Sequence, residues 1–166
     1  KIYFDRNYIE ALYEETLNNP VDNTDFYEVR KLFYHRNIVV IAPGKSSERN
    51  KKIALKIKQD GGLIISINFM YDEELVDYIF VGNIRRMSEL NKKYYYKVIA
   101  TSNIPVSNVY ARIKYSLLLN SQEYVKDNSG LMLLKLLSLC ECSGINVIRI
   151  FLLMRISSWK HLLILD

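Results

Sequence analysis

Among the residues whose types and spacing could do chemistry, Pro43, Gly44, Lys45, Ser46 and Ser47 come first, after the apolar run Ile38-Val39-Val40-Ile41-Ala42. A β-branched run that stops at Pro-Gly and resumes behind a serine cap reads as a buried strand turning into a helix. Such a turn aims backbone N–H groups and the positive end of a helix dipole at one point, which suits a phosphate. Gly-Lys-Ser also closes the Walker A loop, but that loop requires a glycine five positions before its second glycine. Val39 stands there, inside the strand, so the ATPase or GTPase reading is rejected. What remains is a short turn offering N–H groups from Gly44 to Ser47, with the Ser46 hydroxyl as a further donor. A plain strand-to-helix turn with a serine cap accounts for the same residues, and the local sequence leaves both readings open.

Further polar residues fall where other apolar runs end: Asn68, Asn83, Ser102 and Asn103. Asparagines there could hydrogen-bond a base, a ribose or a sugar, although asparagine also ends strands simply by satisfying loose backbone groups. Asn128-Ser129-Gly130 opens a leucine-rich helix, where Gly130 allows a close approach and Asp127, Asn128 or Ser129 could cap. Arg85 and Arg86 follow Asn83 and could pair with a phosphate or a carboxylate, or simply start an exposed helix. His35 and His161 have no carboxylate or nucleophile near them in sequence, and no Ser-His-Asp, paired-carboxylate or metal-ligand pattern stands out. Catalytic residues are therefore not assigned. Cys140 and Cys142 cannot complete a structural zinc site by themselves and read as buried free thiols in a reducing cytoplasm.

The elements that must position these residues follow from hydrophobic period. Residues 5–18 carry Tyr8, Ile9, Leu12 and Tyr13 on one helical stripe, and a second helix after Thr24 carries Phe26, Val29, Leu32 and Phe33. Together residues 1–36 read as a helical lead-in from a preceding domain, and a start at Lys1 rather than methionine reads as a piece of a longer chain. Strands are expected at 37–42, 63–69, 77–81, 96–101 and 145–151, and less clearly within 110–118. Helices are expected at about 47–59, 84–92 and 130–141, with Gly61-Gly62 ending the first of these. Strands alternating with helices at this spacing predict an α/β fold over 37–166: a Rossmann-like three-layer sandwich with a mostly parallel sheet. The polar strand ends would then share one edge of that sheet, where open α/β sheets bind ligands.

Composition is compatible with this. The 166 residues suffice for one core, and the balance of 49% hydrophobic and 25% charged residues is that of a globular domain. The net charge of +5 could steer an anion. Basic and acidic residues are interspersed, and no Lys/Arg tract interleaved with aromatics argues for nucleic acid. No run reaches the 18 or so apolar residues of a membrane helix.

The matching segments are Tyr8-Ile9-Glu10-Ala11-Leu12-Tyr13, Ala42-Pro43-Gly44-Lys45-Ser46, Ile65-Ser66-Ile67-Asn68-Phe69, Asp77-Tyr78-Ile79-Phe80 with Asn83 and Arg86, Thr101-Ser102-Asn103, and Asp127-Asn128-Ser129-Gly130-Leu131. In this order, over residues 7 to 150, the chain resembles the C-terminal domain found behind the barrel in a group of bacterial aldolase-like proteins. These are of the 4-hydroxy-2-oxovalerate or 4-hydroxy-2-oxoglutarate aldolase, HMG-CoA-lyase type. More distantly it is similar to Rossmann-like bacterial sialyltransferases and to a pterin-pyrophosphokinase-like family. In the sialyltransferases a Gly-x-Gly-Pro-Ser turn, asparagines after the next strands and a Ser-Gly helix start surround a cytidine nucleotide. Gly44, Ser46, Asn68, Asn83, Ser129 and Gly130 would be the matching positions.

The resemblance implies an accessory domain that binds a nucleotide, nucleotide sugar or phosphorylated metabolite and needs no cofactor of its own. It places aldol chemistry and a divalent metal in an N-terminal aldolase barrel of the same polypeptide. A sialyltransferase-like transferase and a ligand-free assembly domain are the alternatives. No histidine sits where the transferase's base would be expected after the final strand, and the usual acidic turn there is replaced by Phe151-Leu152-Leu153-Met154-Arg155.

Overall fold

The computed structural model describes residues 5–18, 24–43, 51–119, 128–148 and 162–165. In chain order these form α1 (Arg6–Asn18), α2 (Thr24–Phe33), β1 (Asn37–Ile41), α3 (Lys51–Gln59), β2 (Leu63–Ile67) and β3 (Tyr78–Val81). There follow α4 (Ile84–Glu89), a 3-10 helix (Lys92–Lys97), β4 (Val98–Thr101), β5 (Ala111–Ile113) and α5 (Tyr115–Leu118). The last elements are α6 (Ser129–Leu139), β6 (Gly144–Ile148) and β7 (Leu162–Leu165).

The strands make one seven-stranded sheet in the order β5-β4-β3-β2-β1-β6-β7. Every pairing is parallel, so all the strands' carboxyl ends lie along one edge. From β1 the chain builds outward strand by strand to β5, then crosses to the other side of β1 for β6. The strand order therefore reverses between β1 and β6.

Period-two alternation divides the core between the two faces. Ile38, Val40, Ile65, Phe80, Ile99 and Ile113 pack with α2 and α6, while Val39, Ile41, Ile64, Ile79, Val81 and Val98 pack with α3 and α4. Strands buried on both faces need continuous apolar sequence, which is what Ile38-Val39-Val40-Ile41 supplies. This is the α/β Rossmann-like sandwich that the alternating pattern predicts.

The second lead-in helix belongs to these layers. Val29 and Phe33 of α2 are fully buried in the same core as α6. At the sheet's edge the Asp25 carboxylate accepts the outward N–H of Arg112 on β5 at 2.7 Å, which blunts a strand that would otherwise offer an unpaired edge. Ile9 and Leu12 of α1 pack against the opposite core, and α1 also touches α5.

Several boundaries differ from the expectation. The helix expected over 84–92 stops at Glu89, because Asn91 starts a new 3-10 turn by accepting the Lys93 N–H at 3.0 Å. β4 accordingly begins at Val98 rather than residue 96. Within 110–118 only Ala111–Ile113 is strand. The Tyr115 N–H donates to Ser102 Oγ at 2.9 Å, and the chain turns into α5 there. β6 is not the last strand, since Leu162–Leu165 adds a further parallel strand beside it. No helix joins β2 to β3. The intervening loop is pinned instead by Lys58, which donates to Glu74 O, Leu75 O and Asp77 Oδ1, and by Lys97, which donates to Glu73 O and Val76 O.

Candidate functional site at the carboxyl edge

The residues predicted to bind ligand separate into three groups. Gly44, Lys45, Ser46 and Ser47 lie outside the described residues. Asn83, Arg86 and Ser102 have structural partners. Asn68, Asn103, Ser129 and Gly130 lie at the carboxyl edge, and of these Asn68 and Asn103 carry side-chain atoms with unmet hydrogen-bonding capacity.

Asn83 is the N-cap of α4, its Oδ1 accepting the Arg85 N–H at 2.9 Å. Arg86, on the exposed side of that helix, pairs with Glu89 at 2.8 Å. Ser102 is buried and ties β4 to β5: its N–H donates to Ile113 O at 2.8 Å, and its carbonyl accepts from the Arg112 guanidinium at 2.8 Å. Its hydroxyl accepts from Tyr115, as described above. Each of these three side chains thus has a partner within the chain.

The edge itself is built by close approach. Asn68, just past β2, sits in the left-handed region at φ 67° and donates its N–H to Phe80 O at 2.9 Å, locking the end of β2 to β3. Gly82 ends β3 with no side chain, because α6 starts directly against it. A Cβ there would lie 3.1 Å from Ser129 Oγ and 3.3 Å from Met132 Sδ. At Gly130 a Cβ would meet Asn128 Oδ1 at 3.1 Å and Ile67 Cδ1 at 3.9 Å. The start of α6 thus sits over the ends of β2 and β3. Asn128 caps it, accepting the Leu131 N–H at 3.0 Å. The positive end of the helix consequently faces this edge.

Beside that contact lie buried polar atoms without partners among the described residues: Asn68 Oδ1, Thr101 Oγ1 and both Oδ1 and Nδ2 of Asn103. Thr101 is 0% and Asn103 2% exposed. The β3–β4 register, which pairs Val81 with Ala100, brings Gly82 and Thr101 side by side one step further on. Leaving a buried polar group unpaired costs about 1–3 kcal/mol. Three such side chains at one sheet edge are therefore spare hydrogen-bonding capacity held in place by the fold. Thr101 and Gly82 were not singled out from the sequence. Their only signal there is a polar or side-chain-free residue at the end of an apolar strand.

Neutral donors and acceptors at a helix start are suited to binding. Among the described residues no group of three His, Cys, Asp or Glu could hold a metal ion. Burial pushes both thiols up, Cys140 and Cys142 each to about 12, so at neutral pH they stay protonated and unreactive. A separate cavity of about 490 Å³ on the outer side of α2 is lined by Tyr27, Arg30, Lys31 and Tyr34. Its cations are already engaged, Arg30 by Glu141 and Lys31 by Glu28. Among the described residues no helix is long and apolar enough to cross a membrane.

Comparison with protein-family models, with curated proteins and with solved structures gives no match.

Proposed function

We propose that the carboxyl edge of this sheet binds a nucleotide, nucleotide sugar or phosphorylated metabolite, and that the domain is the accessory binding domain of a cytoplasmic aldolase-type lyase. The observation that carries the binding reading is the cluster of unpartnered buried polar atoms on Asn68, Thr101 and Asn103 along the carboxyl edge. The strand reversal between β1 and β6 adds to it, since open α/β sheets take ligands in the crevice outside the carboxyl ends at such a switch point. The segment that follows β1, with Gly44 to Ser47, would receive the anionic part of the ligand. The lyase context rests on the resemblance of residues 7 to 150, and places the aldol step and its divalent metal in a barrel preceding this domain.

Thermal melts with nucleoside monophosphates, nucleotide sugars and ribose 5-phosphate test the binding reading. A ligand present at a hundred times its Kd adds about 2.7 kcal/mol, which for a chain of this size raises Tm by roughly 5–10 °C. Gly44→Asp, which adds a carboxylate to the segment proposed to receive the anion, should abolish that shift while leaving the ligand-free Tm within about 2 °C of wild type. If none of these compounds moves the melting temperature, the binding reading fails.

A further inference from the structure

We infer that Tyr78 and Tyr110 form an oxidative cross-linking site, whose phenol rings are joined ortho carbon to ortho carbon within one chain by a peroxide-driven one-electron oxidant.

The two residues stand at the amino edge of the sheet, opposite the candidate ligand site. Tyr78 opens β3 and Tyr110 lies one residue before β5, with β4 between them. Two strand spacings hold their backbones about 10 Å apart. Their rings nevertheless meet over the start of β4, with centroids 4.7 Å apart and planes inclined at 56°. Of the ring contacts between described residues, this is the one that joins two tyrosines.

The members of the pair differ in access. Tyr110 is 43% exposed, so an oxidant reaches it from solvent. Tyr78 is half-buried and packs edge-on against the fully buried Phe33 of α2, with centroids 6.1 Å apart, which fixes its ring under that of Tyr110. Burial raises the Tyr78 phenol above its ordinary value, and hydrogen bonding to Tyr110 raises it further, so it keeps its proton until it is oxidised. Tyr27, Tyr34 and Tyr96 are more exposed than Tyr110, but their rings lie against Phe26, His35 and Lys97, none of which is a second phenol.

Removing one electron and the phenolic proton from Tyr110 leaves a radical whose spin lies partly on the ring carbons beside the oxygen. A second one-electron oxidation does the same to Tyr78. A carbon–carbon bond then forms between the two ortho positions, and each ring regains aromaticity as its ortho hydrogen moves to oxygen. In sum the two phenols give up two hydrogen atoms, which reduce one hydrogen peroxide to two waters. Rings already in contact make the coupling intramolecular, an advantage that separate tyrosines lack. The product ties β3 to the start of β5 across β4. It closes the chain from 78 to 110 as a disulfide would, and so removes entropy from the unfolded state.

The test treats the whole chain, at low and at high protein concentration, with hydrogen peroxide and a haem peroxidase as the one-electron oxidant. The monomer should acquire the blue fluorescence of dityrosine, lose the mass of two hydrogens and yield a proteolytic fragment linking 78 to 110, to the same extent at both concentrations. The linked monomer should melt roughly 5–15 °C higher than the untreated chain. Tyr110→Phe alters only an exposed hydroxyl, so it should fold as wild type yet lose the monomer's fluorescence. Tyr78→Phe should lose it too, whereas Tyr96→Phe should keep it. The inference is overturned if the fluorescence appears only in covalent dimers, if the link joins a different pair, or if Tyr110→Phe retains it in the monomer. A monomer left unlinked while free tyrosine in the same solution is converted overturns it as well.

Discussion

Gly61 and Gly62 end α3 together, yet alanine should be tolerated far better at one than at the other. The Gly62 N–H donates to Ile57 O at 2.8 Å and the Gly61 N–H to Lys58 O at 3.0 Å, the paired bonds of a Schellman ending. Gly61 supplies the left-handed residue at φ 84°, and a Cβ there meets nothing within 4 Å. Alanine at 61 therefore incurs only the left-handed penalty, about 1 kcal/mol. A Cβ on Gly62 would lie 2.5 Å from Ile57 Cγ2 and 2.8 Å from the carbonyl oxygens of both Asn37 and Ile57. Two of those three contacts are backbone, one of them at the start of β1, so relief requires α3 to move off the sheet. Overpacking of that kind costs about 1–3 kcal/mol, and weakening the Ile57 bond adds about 1 kcal/mol. At roughly 2–4 °C per kcal/mol for a chain of this length, Gly62→Ala should lower Tm by roughly 4–16 °C and Gly61→Ala by roughly 2–4 °C. Far-UV circular dichroism melts, with urea midpoints as a check, measure both. If Gly61→Ala loses as much as Gly62→Ala, the close approach of α3 to β1 is wrong and the turn's dihedral angle dominates.

Asn83→Ala removes the cap of α4 and should cost about 1 kcal/mol, roughly 2–4 °C in Tm, with Asn83→Asp restoring it and nucleotide affinity unchanged in both. The Lys51 hydrogen bond and the Leu75 N–H hold the Asp72 carboxyl below its ordinary value, and the Lys93 hydrogen bond lowers that of Glu73. Depressed carboxylates contribute stability that is complete above the unfolded-state pKa, about 4, and lost as pH falls through their folded values. Urea midpoints should thus hold from pH 7 to 5 and fall towards pH 3, with Asp72→Asn shallower in that fall; a midpoint that rises on acidification refutes the assignment. The thiols run the other way: a folded value near 12 gives stability that is present below about 8.5 and declines as pH rises beyond it. Iodoacetamide at pH 8 should accordingly label Cys140 only as fast as the chain unfolds, which mass spectrometry with and without urea would show.

How much could be read in advance depended on whether a feature was local. Ile38-Val39-Val40-Ile41 had to be a strand buried on both faces, and Gly61-Gly62 had to end a helix, because each is decided within a few residues. The end of α4 was not readable, since Leu90, Asn91 and Lys92 fit a continuing helix until the Asn91 side chain starts a separate turn. β7 was unreadable for another reason: Leu162-Leu163-Ile164-Leu165 has no alternation, and only a free flank on β6 makes it a strand. The place of α2 likewise involves a distant partner, since its Asp25 accepts the Arg112 N–H from 87 positions away in sequence.

The candidate site shows the same division. Sequence could mark polar residues at strand ends, but capping and ligand binding call for the same side chains at the same places. What separates them is whether the side chain has already spent its hydrogen bonds. Asn83 and Asn128 have done so on backbone N–H groups, and Ser102 has done so on Tyr115. Asn103 and Thr101 have not, although burial makes unmet bonds costliest at those two positions. Residue types alone do not reveal which of Asn103 and Asn83 is capped, since each stands shortly after an apolar run and precedes an isoleucine. The difference arises because Asn83 opens a helix, whose first N–H groups need an acceptor, whereas Asn103 enters a turn already closed by Ile104 and Val106. A side chain denied its local partner by the backbone around it is left available for a partner from outside the chain, and that is the physical ground for locating ligand recognition at the end of β4.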